Sequence, residues 1–298
     1  MQKPTNLKQG DKVAIISTAR KLSQEELKFG VELLNTWGLE VVFGTNLFQE
    51  CNQFAGTTEQ RIADLQWALD ADEIKAVFCA RGGYGTVKII DAIDFAAFIK
   101  NPKWIIGYSD VTVLHNHINQ NFSIQTLHAA MPFGFKDNSA EAIGSIKQVV
   151  FGEQLSYEFD AHTLNKNGVG EGELVGGNLS IIYSLTGTKS QIDTKGKILF
   201  LEDLDEYLYH VDRMMMNLDR VGMLKDLAGL VVGGMTDMND NTIPYGQTAK
   251  EIILETVKKY NYPVCFDFFA GHLDDNRALP MGKKVKLVAA EKCSLVFN

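Results

Sequence analysis

Cysteine is scarce and unorganised in this chain. Cys51, Cys79, Cys265 and Cys293 are scattered over 298 residues and form no C-x-x-C pair. Zinc-ribbon and dithiol redox motifs are therefore absent. Cys79 and Cys265 fall in apolar, strand-like runs and read as reduced core residues. A basic excess is missing too. Lys and Arg total 29 against 37 Asp and Glu, a net charge of −8. A nucleic-acid binder carries a basic footprint, so nucleic acid is not an expected partner. Long apolar runs are also lacking. The stretch VAIIS that follows MQKPTNLKQGDK is far too short for a signal-peptide core or a membrane span. A cytoplasmic protein without a membrane partner is expected. There is no internal repeat and no low-complexity tract.

What is present is a globular composition, 45% hydrophobic and 22% charged. It supports a sizeable core in one large domain or two ordinary ones. The first half alternates strand and helix. KVAIIS (12–17), LEVVFG (39–44), IKAVFCA (74–80) and KWIIG (103–107) read as buried strands. Between them, SQEELKFGVELLNTWG carries Leu27, Val31 and Leu34 on one helical face and ends at Gly38. TTEQRIADLQWALDA opens with Thr57 three before Gln60, a capping-box spacing. TVKIIDAIDFAAFIKN reads as a third helix. Such alternation predicts an open, mostly parallel sheet with helices on both faces.

Residues 135–170 change character, from a helix-like FKDNSAEAIGSIKQVVFGEQ to the polar, glycine-containing SYEFDAHTLNKNGVGEGEL. A boundary is expected near 165, giving domains 1–165 and 166–298. The second half reads as strand KILFLED, helix YLYHVDRMMMNLDRVGM, strand LAGLVVGGM, helix TAKEIILETVKKYN and strand YPVCFDFFAGH. KKVKLVAAEKCSLVFN closes it as a hairpin.

Four segments could carry chemistry. Gly107-Tyr108-Ser109-Asp110 stands between a strand and a helix. There a turn can lift a hydroxyl above the sheet, and the N–H of Asp110 and the helix start can meet an oxyanion. Val111 replaces the second glycine of G-x-S-x-G, and an N-capping Ser or Asp explains the same letters. Arg81-Gly82-Gly83-Tyr84-Gly85 fits neither the Walker pattern nor the dinucleotide fingerprint. It reads as a tight βα turn, or as bare backbone N–H that approaches a substrate carbonyl. In LFLEDLDE (199–206), Glu202 ends an apolar strand, where a carboxylate needs a partner. No histidine cluster accompanies these acids, so neither a metal nor a cofactor is expected. In GHLDDNRALPMG (271–282), His272 sits on a loop after an apolar strand, the position of a base. His115 and His117 are read as pointing away from the turn, His128 as a possible lining of the cleft. Ser109, Glu202 and His272 all lie at strand C-terminal ends, where open α/β sheets build their sites. Ser, acid, His is one of the chain orders that triads use.

Read together, FAGTTEQRIADLQWAL (54–69), RGGYG (81–85), PKWIIGYSD (102–110), LVGGNLSI (174–181), LFLEDLDE (199–206), YHVDRMMMNL (209–218) and GHLDDNRALPMG (271–282) make the chain resemble the LD-carboxypeptidases. These are serine peptidases of the muramoyl-tetrapeptide carboxypeptidase type, with microcin-immunity hydrolases among them. The resemblance covers nearly the whole length. It implies an N-terminal domain like class I glutamine amidotransferases, a smaller β-rich C-terminal α/β domain and a homodimer. It implies Ser109 as nucleophile, Glu202 as triad acid and His272 as general base. Asp110 and Gly82 or Gly83 would supply the oxyanion N–H groups. The implied substrate is a murein tetrapeptide losing its terminal D-alanine in the cytoplasm. Arg81, Arg277 and Asn178 are candidate substrate contacts, with Arg81 equally readable as a structural ion-pair partner. The loop Ser17-Thr18-Ala19-Arg20 departs from the Pro-Ser stretch frequent in the family and could border the site. Two other readings stay open. One is a hydrolase of peptide–nucleotide conjugates, for which Tyr183 is the available stacking residue. The other is a non-catalytic amidotransferase-like binding protein, against which an intact Ser/Glu/His set argues.

Overall fold

A computed structural model describes residues 1–298. In chain order its first elements are β1 (Lys12–Ile16), α1 (Gln24–Thr36), β2 (Glu40–Phe43), α2 (Thr58–Asp70), β3 (Ile74–Cys79), α3 (Ala96–Lys100), β4 (Trp104–Gly107), α4 (Thr112–Phe122), β5 (Thr126–His128) and α5 (Ala140–Phe151). There follow β6 (Ser156–Asp160), β7 (Gly168–Asn178), α6 (Leu179–Ser184), β8 (Ile198–Leu204), α7 (Leu208–Arg220), β9 (Gly229–Thr236), α8 (Ala249–Val257), β10 (Val264–Cys265), β11 (Leu279–Met281), β12 (Lys284–Ala289) and β13 (Lys292–Phe297). No helix is long and apolar enough to cross a membrane.

Two sheets organise the chain. The first has six strands in the order β11-β5-β4-β3-β1-β2, all parallel except the antiparallel edge β11. The second has seven, β10-β9-β8-β7-β12-β13-β6, parallel at one end and antiparallel at the other. The result is the expected α/β architecture of two mixed sheets flanked by helices. Each strand sends alternate residues to opposite faces. Val13 and Ile15 of β1, with Ile198 and Phe200 of β8, enter a 40-residue buried cluster that also takes in α1, α5 and the β12–β13 hairpin. Ala14 and Ile16 face the other way, into a cluster with Leu65 and Leu69 of α2 and Val113 and Leu114 of α4. Leu199 and Leu201 pack under Met214, Met215 and Leu218 of α7. Both faces of the central strands are buried, hence their continuous apolar runs. Each such aliphatic side chain contributes roughly 1.5–3 kcal/mol on burial.

The capping box at Thr57 and Gln60 is formed, as are boxes at Ser23 and Thr248. Three stretches differ from expectation. The helix expected over TVKIIDAIDFAAFIKN breaks into single turns at Thr86–Lys88 and Ile90–Ala92, then the short α3. Gln66 of α2 is the reason. Its side chain accepts from Asp94 N at 2.8 Å and donates to Asp94 O at 2.8 Å, holding that residue outside a helix. The strand expected over YPVCFDFFAGH shrinks to β10, because Phe266 N turns to Asn165 Oδ1 and Asp267 adopts a left-handed φ of 60°. The polar stretch after 155 contains β6 and most of β7, whose alternating exposure fits an edge and a half-solvated ladder. β6 thus precedes residue 165 yet edges the second sheet, while β11 follows it and edges the first.

Candidate active site

β4 ends at Gly107, where a Cβ would come within 2.8 Å of Val111 Cγ2. Tyr108 is extended, and Ser109 takes φ 62°, a left-handed value rare for a residue with a side chain. One turn at Ser109–Val111 leads into α4. This is a strand–turn–helix elbow with the serine at its apex. His115 of α4 does not point away, as expected, but donates from Nε2 to Gly107 O at 2.8 Å, under the turn.

Beside the elbow, Gly82 lies so close that a Cβ there would sit 3.1 Å from Ser109 Cβ and 3.2 Å from Ser109 Oγ. The loop is held by the residue after the serine. Asp110 is buried, and its Oδ2 accepts from Thr86 N at 2.8 Å and Thr86 Oγ1 at 2.7 Å. Thr86 Oγ1 also lies 2.7 Å from Thr18 Oγ1. Buried Arg61 donates to Thr18 O at 2.8 Å and to Gly85 O at 3.1 Å. Burial pushes the Asp110 carboxyl up, against the hydrogen bonds from Thr86.

From the second sheet, β8 carries Glu202 to the same place. Glu202 is fully buried, and His272 Nδ1 donates to its Oε2 at 2.7 Å. A Cβ on Gly271, which has φ 109°, would stand 2.7 Å from Glu202 Cβ, so this approach requires glycine. The His272 ring packs on Tyr108, centroids 4.8 Å apart. Burial disfavours the His272 cation, but the Glu202 charge and hydrogen bond, with Asp203 behind, raise its pKa above the ordinary imidazole value. Asp203 is pushed up to about 7 by burial and by Glu202, despite bonds from Asn178 Nδ2, Ser180 N and Leu204 N.

Ser109, His272, Gly82, Gly83, Arg81 and Arg20 line one cleft of about 350 Å³, walled by Tyr108, Met131, Phe133 and Leu204. Ser109 Oγ and His272 share the cleft without a hydrogen bond to each other. A larger hollow of about 770 Å³, around Met235, Met238 and Lys250, contains none of these groups. Volume alone is a poor guide here, because the perturbed base and strained serine sit in the smaller space.

The other candidates are placed apart. Asn178 is buried with its amide committed. It donates to Asp203 Oδ1 at 2.9 Å and caps α6 by accepting from Ile181 N at 3.2 Å. Arg277 makes a two-point pair with Asp275, at 2.6 and 2.9 Å, and lies over the Phe269 ring rather than in the cleft. His128 is wholly buried beneath the site, against Phe200 and Tyr108, and does not line the cleft. The loop over 17–20, expected to border the site, does so through Arg20, which lines the cleft although the sequence marked no single residue of that loop. Its signal was its place just past the end of β1, on the side where a parallel sheet gathers its site.

Comparison with known proteins agrees with this fold. Residues 13–129 match the LD-carboxypeptidase N-terminal domain, and residues 171–287 match the LD-carboxypeptidase C-terminal domain. The chain belongs to the LD-carboxypeptidase family and is a serine-type carboxypeptidase hydrolase. A probable murein peptide carboxypeptidase of Bacillus subtilis is 36% identical, over 99% of this chain and 94% of the relative. The crystal structure of muramoyltetrapeptide carboxypeptidase from Oxalobacter formigenes superposes with a TM-score of 0.88 at 27% identity, over 96% of this chain and 98% of that one. An MccF-like protein from Bacillus anthracis shares the fold over the full length of both chains, with a TM-score of 0.86 at 22% identity.

Proposed function

We propose that this enzyme cleaves the L,D-peptide bond to the terminal D-alanine of murein tetrapeptides, using Ser109, Glu202 and His272 as a triad. The observation that carries the reading is a strained serine facing a histidine that a buried glutamate orients, in one cleft. With Nδ1–H donated to Glu202, the His272 Nε2 lone pair is free to take the Ser109 proton. Ser109 Oγ then attacks the carbonyl carbon. The oxyanion meets the N–H of Asp110 and an N–H of the Gly82–Gly83 loop, of which Gly82 abuts the serine. His272 passes its proton to the departing amine, D-alanine leaves, and water attacks the acyl-enzyme with His272 again as base. The identities of the relatives support a murein peptide as the acyl donor. The reading carries with it a cytoplasmic homodimer, which sedimentation of the purified protein checks.

The peptide–nucleotide reading is kept open by the fold shared with MccF-type proteins, but no residue of the cleft favours it. Tyr183 packs edge-on against His210, Tyr108 against His272, and Phe133 lies under Arg81, so these rings are already engaged. Labelling of Ser109 by a fluorophosphonate separates an enzyme from a binding protein.

The direct test is D-alanine release from a murein tetrapeptide by the wild type and by Ser109→Ala. Loss of about 10³-fold or more in a folded variant is expected. Release that persists in the variant would remove Ser109 from the mechanism.

A further inference from the structure

Two arginines line the cleft and neither is in an ion pair, which among the arginines only Arg277 forms; the Glu26 carboxylate, bonded to Ser23 N and Oγ, acts on Arg81 through space alone. Arg81 lays its guanidinium 4.1 Å over the Phe133 ring and donates from Nη1 to Lys21 O at 3.3 Å. Burial and the neighbouring Arg20 charge lower its pKa. Arg20 is held from the other side. Ser17 Oγ donates to Arg20 O at 2.8 Å, and a backbone bridge to Phe54 fixes the loop. Its aliphatic stem lies across Gly83, where any Cβ would overlap Arg20 Cγ and Cδ. In a chain of net charge −8, two unpaired guanidinium groups are thus set side by side beside Ser109. Like charges held together without a directly paired counter-ion form a site that an anion completes.

The position narrows the anion. Gly82 abuts Ser109, and Arg81 and the Arg20-covered Gly83 are its two neighbours. Arg81 and the Arg20 stem over Gly83 thus flank the glycine that abuts the nucleophile, and both side chains line the cleft that holds Ser109. A carboxypeptidase substrate presents its carboxylate on the leaving residue, one residue (~3.8 Å between Cα atoms) beyond the scissile bond, within the same cleft. The paired N–H groups of a guanidinium match the two oxygens of a carboxylate.

We propose that Arg20, together with Arg81, forms a two-guanidinium subsite for the free α-carboxylate of the departing residue, and that Arg20 thereby confines cleavage to chain ends. The proposal rests on the reading of Ser109 as the nucleophile. Arg20 acts on substrate binding, and the proton relay of Ser109 and His272 does not need it.

The experiment uses N-acetyl-D-alanine and its amide as probes in calorimetry, alongside tetrapeptide kinetics, for the wild type, Arg20→Met and Arg20→Lys. Methionine keeps a stem over Gly83 and removes the charge. The wild type is expected to bind the acid roughly 10–100-fold more tightly than the amide, the range of a charge-assisted contact. Arg20→Met should lose that preference and raise KM for the tetrapeptide by a similar factor, with kcat nearly unchanged. Arg20→Lys should fall between. Fluorophosphonate labelling of Ser109 should proceed equally in all three. Equal binding of acid and amide by the wild type would overturn the subsite, as would an Arg20→Met protein that keeps the preference. If the acid preference depends on Arg20 while Ser109 resists labelling, the two arginines bind a carboxylate, but the reading of Ser109 falls and with it the assignment of that carboxylate to a departing residue.

Discussion

On the Ser109 side of the cleft, Asp110, Thr86, Thr18 and Arg61 are all buried and bonded in series. On the His272 side, one hydrogen bond of 2.7 Å orients the ring; a buried polar atom is left without a partner on each side, Glu202 Oε1 here and Asp110 Oδ1 and Arg61 Nε there, so the contrast lies in the number of bonds made. The difference follows from what each side must hold. A non-glycine residue in a left-handed conformation costs on the order of 1–3 kcal/mol, and persists only where its surroundings over-determine it. The network through Asp110 does that for Ser109, and in the same stroke sets the Gly82 loop against the elbow. His272 carries no such strain. It needs one partner to choose its tautomer and face.

That contrast predicts unequal consequences. Of the two sides, Glu202→Gln should damage activity more, lowering kcat by about 10³–10⁴-fold with little change in the unfolding midpoint, because it corrupts the tautomer and leaves the packing. Asp110→Ala should do the reverse in proportion. Losing the acceptor for Thr86 N and Oγ1 should cost about 1–3 kcal/mol in urea melts, with kcat falling roughly 10–100-fold as the oxyanion donors drift. If Asp110→Ala melts like the wild type, the network does not hold the elbow.

The pH profile sharpens the same comparison. His272 must be neutral to act as base, and its pKa is raised by Glu202. The acid limb of kcat/KM should therefore lie above the ordinary imidazole value of about 6.5, with activity lost as pH falls through it. The residual activity of Glu202→Gln should show that limb at lower pH. The raised pKa also makes the His272 pair stabilising below about pH 6.5, a contribution lost as pH rises through the folded-state value. A limb at the same pH in both proteins would break the argument. The smallest effect lies outside the site. Gln66→Ala should cost about 0.5–1.5 kcal/mol by freeing Asp94, and leave kcat/KM unchanged.

Much of this was legible in the chain itself. The alternation of β1 to β4 with helices showed in apolar periods, and the capping box at Thr57 in two letters three apart. Ser109, Glu202 and His272 each stood at the end of an apolar run, but only Ser109 lies just past a strand end; Glu202 sits within β8, and His272 is on a loop well beyond β10. The break at Asp94 was hidden, since its cause, Gln66, lies 28 residues away. Leu279–Met281 gave no sign of joining the first sheet, because three residues of edge strand carry no period. Arg20 was legible only as a departure from a familiar loop.

The sequence by itself determined the local matters: which stretches are strand or helix, where they turn, and which three polar side chains end apolar runs. Periodicity and turn chemistry act over a few residues, so they can be read without the fold. Tertiary structure decided the rest. It turned the Asp110 carboxylate inward to Thr86, brought Glu202 and His272 together across 70 positions, and stood Arg20 over Gly83 beside Arg81. Those contacts join segments far apart in the chain, and only the packing of two sheets on a shared core brings them within hydrogen-bonding reach.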